Sequence, residues 1–320
     1  MVFVPSSMDP LIIRRSEALQ RGATDWNLQH LCRNGSWHRL RRGSYLSAET
    51  FAELSARERH RVRSVATLES ASRDAILSHQ SAAIVHGIDL WNTPLAAVHL
   101  TRNRQSGGSR TALRHVHCTS LLPDESTSVA GLRVTTAART IVDLARTLPF
   151  EQALVAGDHA LHSGRCSAGD LAATDPRTSR RKVAGVLQLL DGRSESVGES
   201  RSRVLMIREQ LPIPDCQPKL YSSNGRFLGR VDFLFTEQGV VGEFDGRSKY
   251  GRLAPDGRVP EDVLWAEKLR EDAIRGAGWE VVRWVWDELA TPRVIVERIL
   301  EAVGRARPGP RGRTEPVPRP

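Results

Sequence analysis

Residues 229–246, GRVDFLFTEQGVVGEFDG, set carboxylates among hydrophobes in a pattern suited to holding a cation. Two apolar runs, VDFLF and VVGEF, flank Thr236-Glu237-Gln238-Gly239, which suits a four-residue hairpin loop. Strand alternation predicts Val231, Phe233 and Phe235 on one face with Asp232 and Leu234 on the other. The second strand splits into Val240 and Phe244 against Val241, Glu243 and Asp245. If Phe235 stands opposite Val240, Asp232 stands opposite Glu243. Cβ atoms so paired lie about 4.5–5.5 Å apart, and two like charges there repel. A divalent metal relieves that repulsion, because Mg²⁺ takes one or two carboxylates and completes its shell with water and phosphate oxygens. The purely structural alternative is neutralisation of the acids by Arg230, Arg247 or Lys268.

The elements that must position these acids can be read on either side. SESVGESRSR, residues 194–203, starts a helix. After EFDGRSKY and a polar Gly/Pro insert, VLWAEKLREDAIRGAGWEVVRWVWDEL reads as an amphipathic helix stopped by Gly276 and Gly278, then a buried strand from Glu280 to Trp286. The order is helix, strand, hairpin strand, helix, strand, with acids on the first three.

Over about residues 195–300 this layout resembles the PD-(D/E)XK nuclease superfamily, in particular its very-short-patch-repair-endonuclease-like branch. That resemblance implies a restriction-endonuclease-like α/β domain. Glu199 matches the helix glutamate, Asp232 the metal aspartate, Glu243 the second metal acid and Asp245 the acid just beyond it. Lys249 stands where many relatives carry histidine. The wider superfamily has a lysine two residues after the second acid; here that place holds Asp245, which leaves Lys249 or a metal-activated water as general base. The resemblance further implies Mg²⁺ or Mn²⁺ on Asp232 and Glu243, with Lys268, Arg270 and Arg283 steadying the scissile phosphate.

The chain as a whole carries 46 Lys and Arg against 37 Asp and Glu in 320 residues, a net charge of +9 that favours a polyanionic partner. Forty per cent hydrophobic content supports folded domains, and the length allows two or three of them. MVFVPSSMDP lacks a secretory pattern and no apolar run reaches a membrane span, so a cytoplasmic protein without a membrane partner is expected. Cys32, Cys118, Cys166 and Cys216 show no CxxC spacing, which points to reduced thiols. Walker, GxGxxG and GxSxG motifs are missing, so no nucleotide cofactor is expected.

From Pro10 to Tyr45 the text reads as a small helical unit ending in a basic β-wing. No acid lies between Asp25 and Glu49, while Arg33, Arg39, Arg41 and Arg42 fall in that gap beside Trp37, Leu40 and Tyr45. A winged helix-turn-helix with these arginines on DNA phosphates is expected. ALQRGATDWNLQHLCRNGSWHRLRRGSYL, with ILSHQSAAIVHGI and VTTAARTIVDLAR, resembles AbiEi-type antitoxins of type IV toxin–antitoxin systems over roughly residues 10–150. That resemblance implies promoter binding by the wing and a toxin protein as partner. In the middle section SHQSAAIVHGI reads as a buried helix, AVHLTR and LRHVHC as strands, and TTAARTIVDLARTL as a threonine-capped helix. His115 and His117 share a strand face with His99 nearby, a pattern that permits a metal site but more often marks an exposed face.

These readings make an α+β multidomain chain: a winged-helix domain over 1–63, a mixed α/β middle domain over 64–182 and an endonuclease-like domain over 183–303. The tail from 304, with five prolines and five arginines in 17 residues, is expected to be disordered. The function expected is DNA binding coupled to metal-dependent phosphodiester hydrolysis. A non-catalytic regulator or antitoxin with a degenerate nuclease fold is the alternative.

Overall fold

In the computed structural model, which describes residues 12–246, 261–307, 309 and 311–318, the chain begins with Ile13–Arg14 (β1), Arg15–Gln20 (α1) and Asp25–Arg33 (α2). Thr24 starts α2 because its Oγ1 accepts from Asn27 N at 3.2 Å while Asn27 Oδ1 accepts from Thr24 N at 2.8 Å. Such a reciprocal cap stabilises a helix by about 1 kcal/mol. Trp37–Arg41 (β2) and Ser44–Ser47 (β3) form a hairpin in a sheet of order β1-β3-β2, followed by Ala48–Glu53 (α3) and Ala56–Glu69 (α4). Two helices and a basic hairpin thus lie where the sequence placed them. Val62, Val65 and Ala66 of α4 share one core with Leu40, Leu46 and Phe51.

The next layer is a six-stranded sheet built from Ala75–Leu77 (β4), Val98–Asn103 (β5), Ser109–Arg110 (β6), Arg114–Thr119 (β7), Ser126–Val129 (β8) and Leu132–Thr135 (β9). Its order is β6-β7-β5-β4-β9-β8, with β5–β7 and β4–β9 parallel and the other pairs antiparallel. His79–His86 (α5) sends Ala82 and Val85 into a core with Leu77, Leu100, Val116 and Val134. Ala137–Thr147 (α6) starts at Thr136, whose Oγ1 accepts from Arg139 N at 3.3 Å, as its threonines suggested. Arg139 is fully buried on α6; it pairs with Asp143 and with Glu125, each at 3.1 Å. Arg177 then clamps Glu125 through two hydrogen bonds of 2.8 and 2.7 Å, which ties down part of the basic stretch 174–182 before Arg180–Leu187 (α9). Phe150–His162 (α7) and Ala168–Ala173 (α8) precede it.

Two compact units result: Met1–Ala156 with Gly164–Gln188, and Gly157–Ser163 with Leu189–Pro320. The expected boundary between residues 63 and 64 falls inside the first unit, because α4 packs on the hairpin. The observed break at 188/189 lies close to the expected one at 182/183.

The second unit contains Val197–Arg208 (α10), a strand series of Asp215–Cys216 (β10), Lys219–Tyr221 (β11), Phe227–Arg230 (β12), Phe233–Phe235 (β13) and Val240–Asp245 (β14), then Glu261–Gly276 (α11), Glu280–Val285 (β15) and Pro292–Arg305 (α12). The helix–strand–hairpin strand–helix–strand order expected from the sequence is therefore present. The central sheet runs β10-β13-β14-β15, with β14 and β15 parallel. Phe235 pairs with Val240 and Phe233 with Gly242, the register expected from the hairpin. Gly239 closes the loop at φ +72°, where a side chain would be strained, and its N–H bonds Phe235 O at 2.8 Å. Phe233, Phe235, Val240 and Trp284 pack in one cluster, Leu234 and Val241 in another.

Two expectations fail in this unit. Val231 joins Leu234 and Val241 rather than Phe233, because the chain changes sheets at residues 231–232 and the two-residue period is interrupted there. The tail is not wholly without structure: Thr314–Glu315 (β16) pairs with β11, Arg311 lies over the Trp279 ring at 5.5 Å, and Val317 O accepts from Arg193. Composition favoured disorder, but the unpaired edge of β11 offered backbone partners.

Candidate functional site

Asp232 stands where two paired strands pass from one sheet to another. β10 pairs with β13 and β11 with β12, so residues 215–221 run antiparallel to 227–234 through a bend at Gln217-Pro218 and Val231-Asp232. Gln217 N donates to Asp232 O at 3.0 Å and Val231 N to Pro218 O at 3.1 Å. At the bend Gln217 takes φ +58°, and its buried amide nitrogen donates to Glu199 at 2.8 Å and to Asp232 Oδ1 at 3.2 Å. Asp232 Oδ2 accepts from Phe244 N at 2.8 Å. Burial, reinforced by the charge of Glu199 and then of Glu243, pushes the Asp232 carboxyl up to about 7. One side chain among the expected acids is thus short of positive charge.

Glu199 occupies the first turn of α10. Ser196 Oγ accepts from Glu199 N at 3.1 Å and donates to Glu199 Oε1 at 2.7 Å, and Glu195 N donates to Oε2 at 2.9 Å. The carboxylate therefore completes the helix cap as well as facing Gln217.

Glu243 has a different environment. Arg270 on α11 and Arg283 on β15 reach its two oxygens at 2.7 and 2.9 Å. Both guanidiniums also hold Glu267, Arg270 at 2.8 Å, and Arg283 extends to Glu271 at 3.2 Å. Hydrogen bonding from Arg270, aided by Arg283, holds Glu267 down at about 2. Glu243 is thus part of an ion-pair network, in which, among the described residues, Arg270 and Arg283 stand in place of the Arg230 and Lys268 that the structural alternative named. Arg230 forks onto Glu195 at 2.6 and 2.8 Å, Lys268 is exposed over the Trp265 ring at 5.8 Å, and Arg247 lies outside the described residues.

Asp232, Glu243 and the half-buried Asp245 nevertheless line one cleft of about 270 Å³ with Arg230, Glu267, Arg270 and Arg283. Glu199 meets Asp232 behind it through Gln217. Lys268 is not part of that lining, and Lys249 lies outside the described residues. Chemically, the cleft sets an undercompensated carboxylate beside two guanidiniums whose planar forks match phosphate oxygens. Burial and the two neighbouring acids favour the protonated form of Asp232, and a bound cation would favour the charged one. For Glu243 to share that cation it must release one arginine. Gln217 and Glu267 were not singled out from the sequence. Glu267 was legible as an i,i+3 partner of Arg270, whereas Gln217 sits in a bend that no periodicity marks.

On the hairpin of the first unit, Arg39 and Arg42 are exposed, as is Arg33 at the end of α2. Trp26 on the same helix is 67% exposed and stacks on His30 at 5.0 Å. Arg41 is not available for a polyanion in the expected way: it is half-buried and donates to Ala66 O at 3.2 Å, fastening the hairpin to α4. Among the described residues, the one group of three or more metal-capable side chains with donor atoms within 4.8 Å of one another is His79, His99 and His117. No described helix is long and apolar enough to cross a membrane.

No protein-family profile matches the chain. It is 31% identical over 236 residues to the uncharacterized proteins MT2308 and Rv2248 of Mycobacterium tuberculosis strains CDC 1551 / Oshkosh and H37Rv, covering 71% of this chain and 80% of each relative. Among solved structures, the Rv2827c protein of M. tuberculosis aligns with a TM-score of 0.38 at 14% identity, over 57% of this chain and 73% of that one.

Proposed function

The chain belongs to the family of the uncharacterized M. tuberculosis protein Rv2248, and we propose that it is a DNA-binding protein whose second unit hydrolyses phosphodiesters with a divalent metal. The observation that carries this reading is Asp232: a carboxylate pushed up to about 7 by burial and two neighbouring acids, at a cleft that also presents Arg270 and Arg283. Asp232 and Glu243 would hold Mg²⁺ or Mn²⁺, which would supply charge stabilisation at the phosphoryl group and acidity to an attacking water. Phe244 N and Gln217 orient the Asp232 carboxylate, and Glu199 steadies Gln217. Arg270 and Arg283 exchange part of their hold on Glu243 and Glu267 for phosphate oxygens. Arg33, Arg39 and Arg42, with Trp26, form the basic surface that a winged helix would lay on DNA.

The test is incubation of the full chain with plasmid, single-stranded DNA and structured RNA, in Mg²⁺, Mn²⁺ or EDTA. Cleavage is expected with metal, to be abolished by Asp232→Ala. Binding without cutting of any substrate favours the second reading, a non-catalytic transcriptional regulator or antitoxin with a toxin partner. That reading has its own support: Glu243 is already neutralised by two arginines.

A further inference from the structure

Four histidines gather where α5 meets strands β5 and β7 of the first unit, and the proposed nuclease chemistry uses none of them. His99 comes from β5, His115 and His117 from the adjacent parallel strand β7, and His79 from the first turn of α5. The β5–β7 register sets His99 opposite His115. His99 Nδ1 meets His117 Nε2 at 3.0 Å, and His79 stacks on His117 with ring centres 3.8 Å apart.

His79 is the unusual member. It is fully buried, its backbone is left-handed at φ +50°, and its Nε2 has no hydrogen-bond partner. Its Nδ1 lies 2.9 Å from Ser78 Oγ, which also accepts from Thr101 Oγ1 at 2.7 Å. With Nδ1 donating to Ser78, Nε2 carries a buried lone pair that no donor's hydrogen meets. A left-handed conformation costs a non-glycine residue on the order of 1–2 kcal/mol, and an unpaired buried nitrogen adds about 1–3 kcal/mol. Both costs call for a compensating partner.

We propose that His79, His99 and His117 form a binding site for a divalent transition metal, Zn²⁺ in the first instance, with its fourth position open to the neighbouring cleft. Their donor nitrogens lie within 4.8 Å of one another, and tetrahedral Zn–N bonds of about 2.0–2.1 Å require nitrogens roughly 3.3 Å apart. Three neutral imidazoles with Nδ1 of one held by a hydroxyl are a donor set of the kind Zn²⁺ takes, and a hydroxyl at that place fixes ring orientation. Burial lowers the His79 and His99 imidazoles, His99 to about 4, which favours the neutral form a metal requires. The nearby guanidiniums of Arg139 and Arg146 are both paired with Asp143. His99 and His117 line a cleft of about 880 Å³ that His115 and Arg110 share. Arg110 there suits water or a small anion as the fourth ligand.

The test uses the full chain carrying Asp232→Ala, so that the carboxylate cleft does not compete, stripped with EDTA and titrated with Co²⁺. One equivalent is expected to give intense visible d–d bands of tetrahedral imidazole ligation, which Zn²⁺ then bleaches. His99→Ala and His117→Gln are expected to abolish the bands, and Ser78→Ala to weaken binding about 10–100-fold. Absence of bands in the folded parent overturns the proposal, as does their persistence in the His99→Ala/His117→Gln pair. In that case the four rings are a neutral hydrogen-bonded stack. Circular dichroism of each variant separates lost ligation from lost folding, and the parent titration decides by itself if a variant fails to fold.

Discussion

At the scale of single residues, Asp232 makes the sharpest demand. The folded protein retains its proton up to about pH 7, whereas an ordinary aspartate releases it near 3.8, so between those values the folded state binds more protons than the unfolded chain. Stability contributed by this group is therefore present at low pH and lost as pH rises through about 7. Asp232→Asn is expected to raise the melting temperature at pH 8 and to flatten its decline between about pH 4 and 7, measured by calorimetry. Mg²⁺ at a hundred times its dissociation constant should stabilise the parent by about 2.7 kcal/mol and leave Asp232→Asn unmoved. A parent that ignores both pH and Mg²⁺ would remove the case for a cation at this carboxylate.

Among elements, α10 and the hairpin of the first unit carry the consequences. Gly198 lets α10 approach β14 so closely that a Cβ there would stand 1.9 Å from Phe244 Cε1, while Trp284 Nε1 donates to Ser202 Oγ on the same helix at 2.8 Å. Gly198→Ala is expected to cost about 1–3 kcal/mol in urea unfolding, the usual penalty of overpacking, and to disturb the Asp232 contact to Phe244 N. On the hairpin, Arg39→Ala and Arg42→Ala should each lower the slope of log binding constant against log salt for DNA by about 1. Arg41→Ala should instead lower stability and leave that slope unchanged, because its guanidinium is spent on Ala66 O. An equal loss of slope for all three would contradict the distinction.

For the whole molecule, the tail belongs to the account of stability. Removing residues 307–320 takes away β16, the Arg311–Trp279 contact and the Arg193–Val317 bond, all within the second unit. A loss of about 1–3 kcal/mol from that unit is expected, with a change in tryptophan emission as Trp279 is uncovered. A truncated chain with unaltered melting would return the tail to the role its composition suggested. The net charge of +9 counts 46 basic residues, yet many arginines of the second unit are engaged with acids, so the exposed arginines of the first unit's hairpin carry more of the free charge than a census implies.

What the linear text determined was local: the hairpin loop at 236–239 and its register, the threonine-started helix at 137, the strands bearing His99 and His117, and the helix halted at Gly276. Periodicity, turn chemistry and caps act over a few residues, and so they are legible there. Only the tertiary structure decided where charges end. Arg270 and Arg283 close on Glu243 across 27 and 40 residues, Gln217 reaches Glu199 and Asp232 through a bend between sheets, and His79 meets two strands far from it in sequence. Such meetings follow from how layers stack, and no spacing along the chain encodes them.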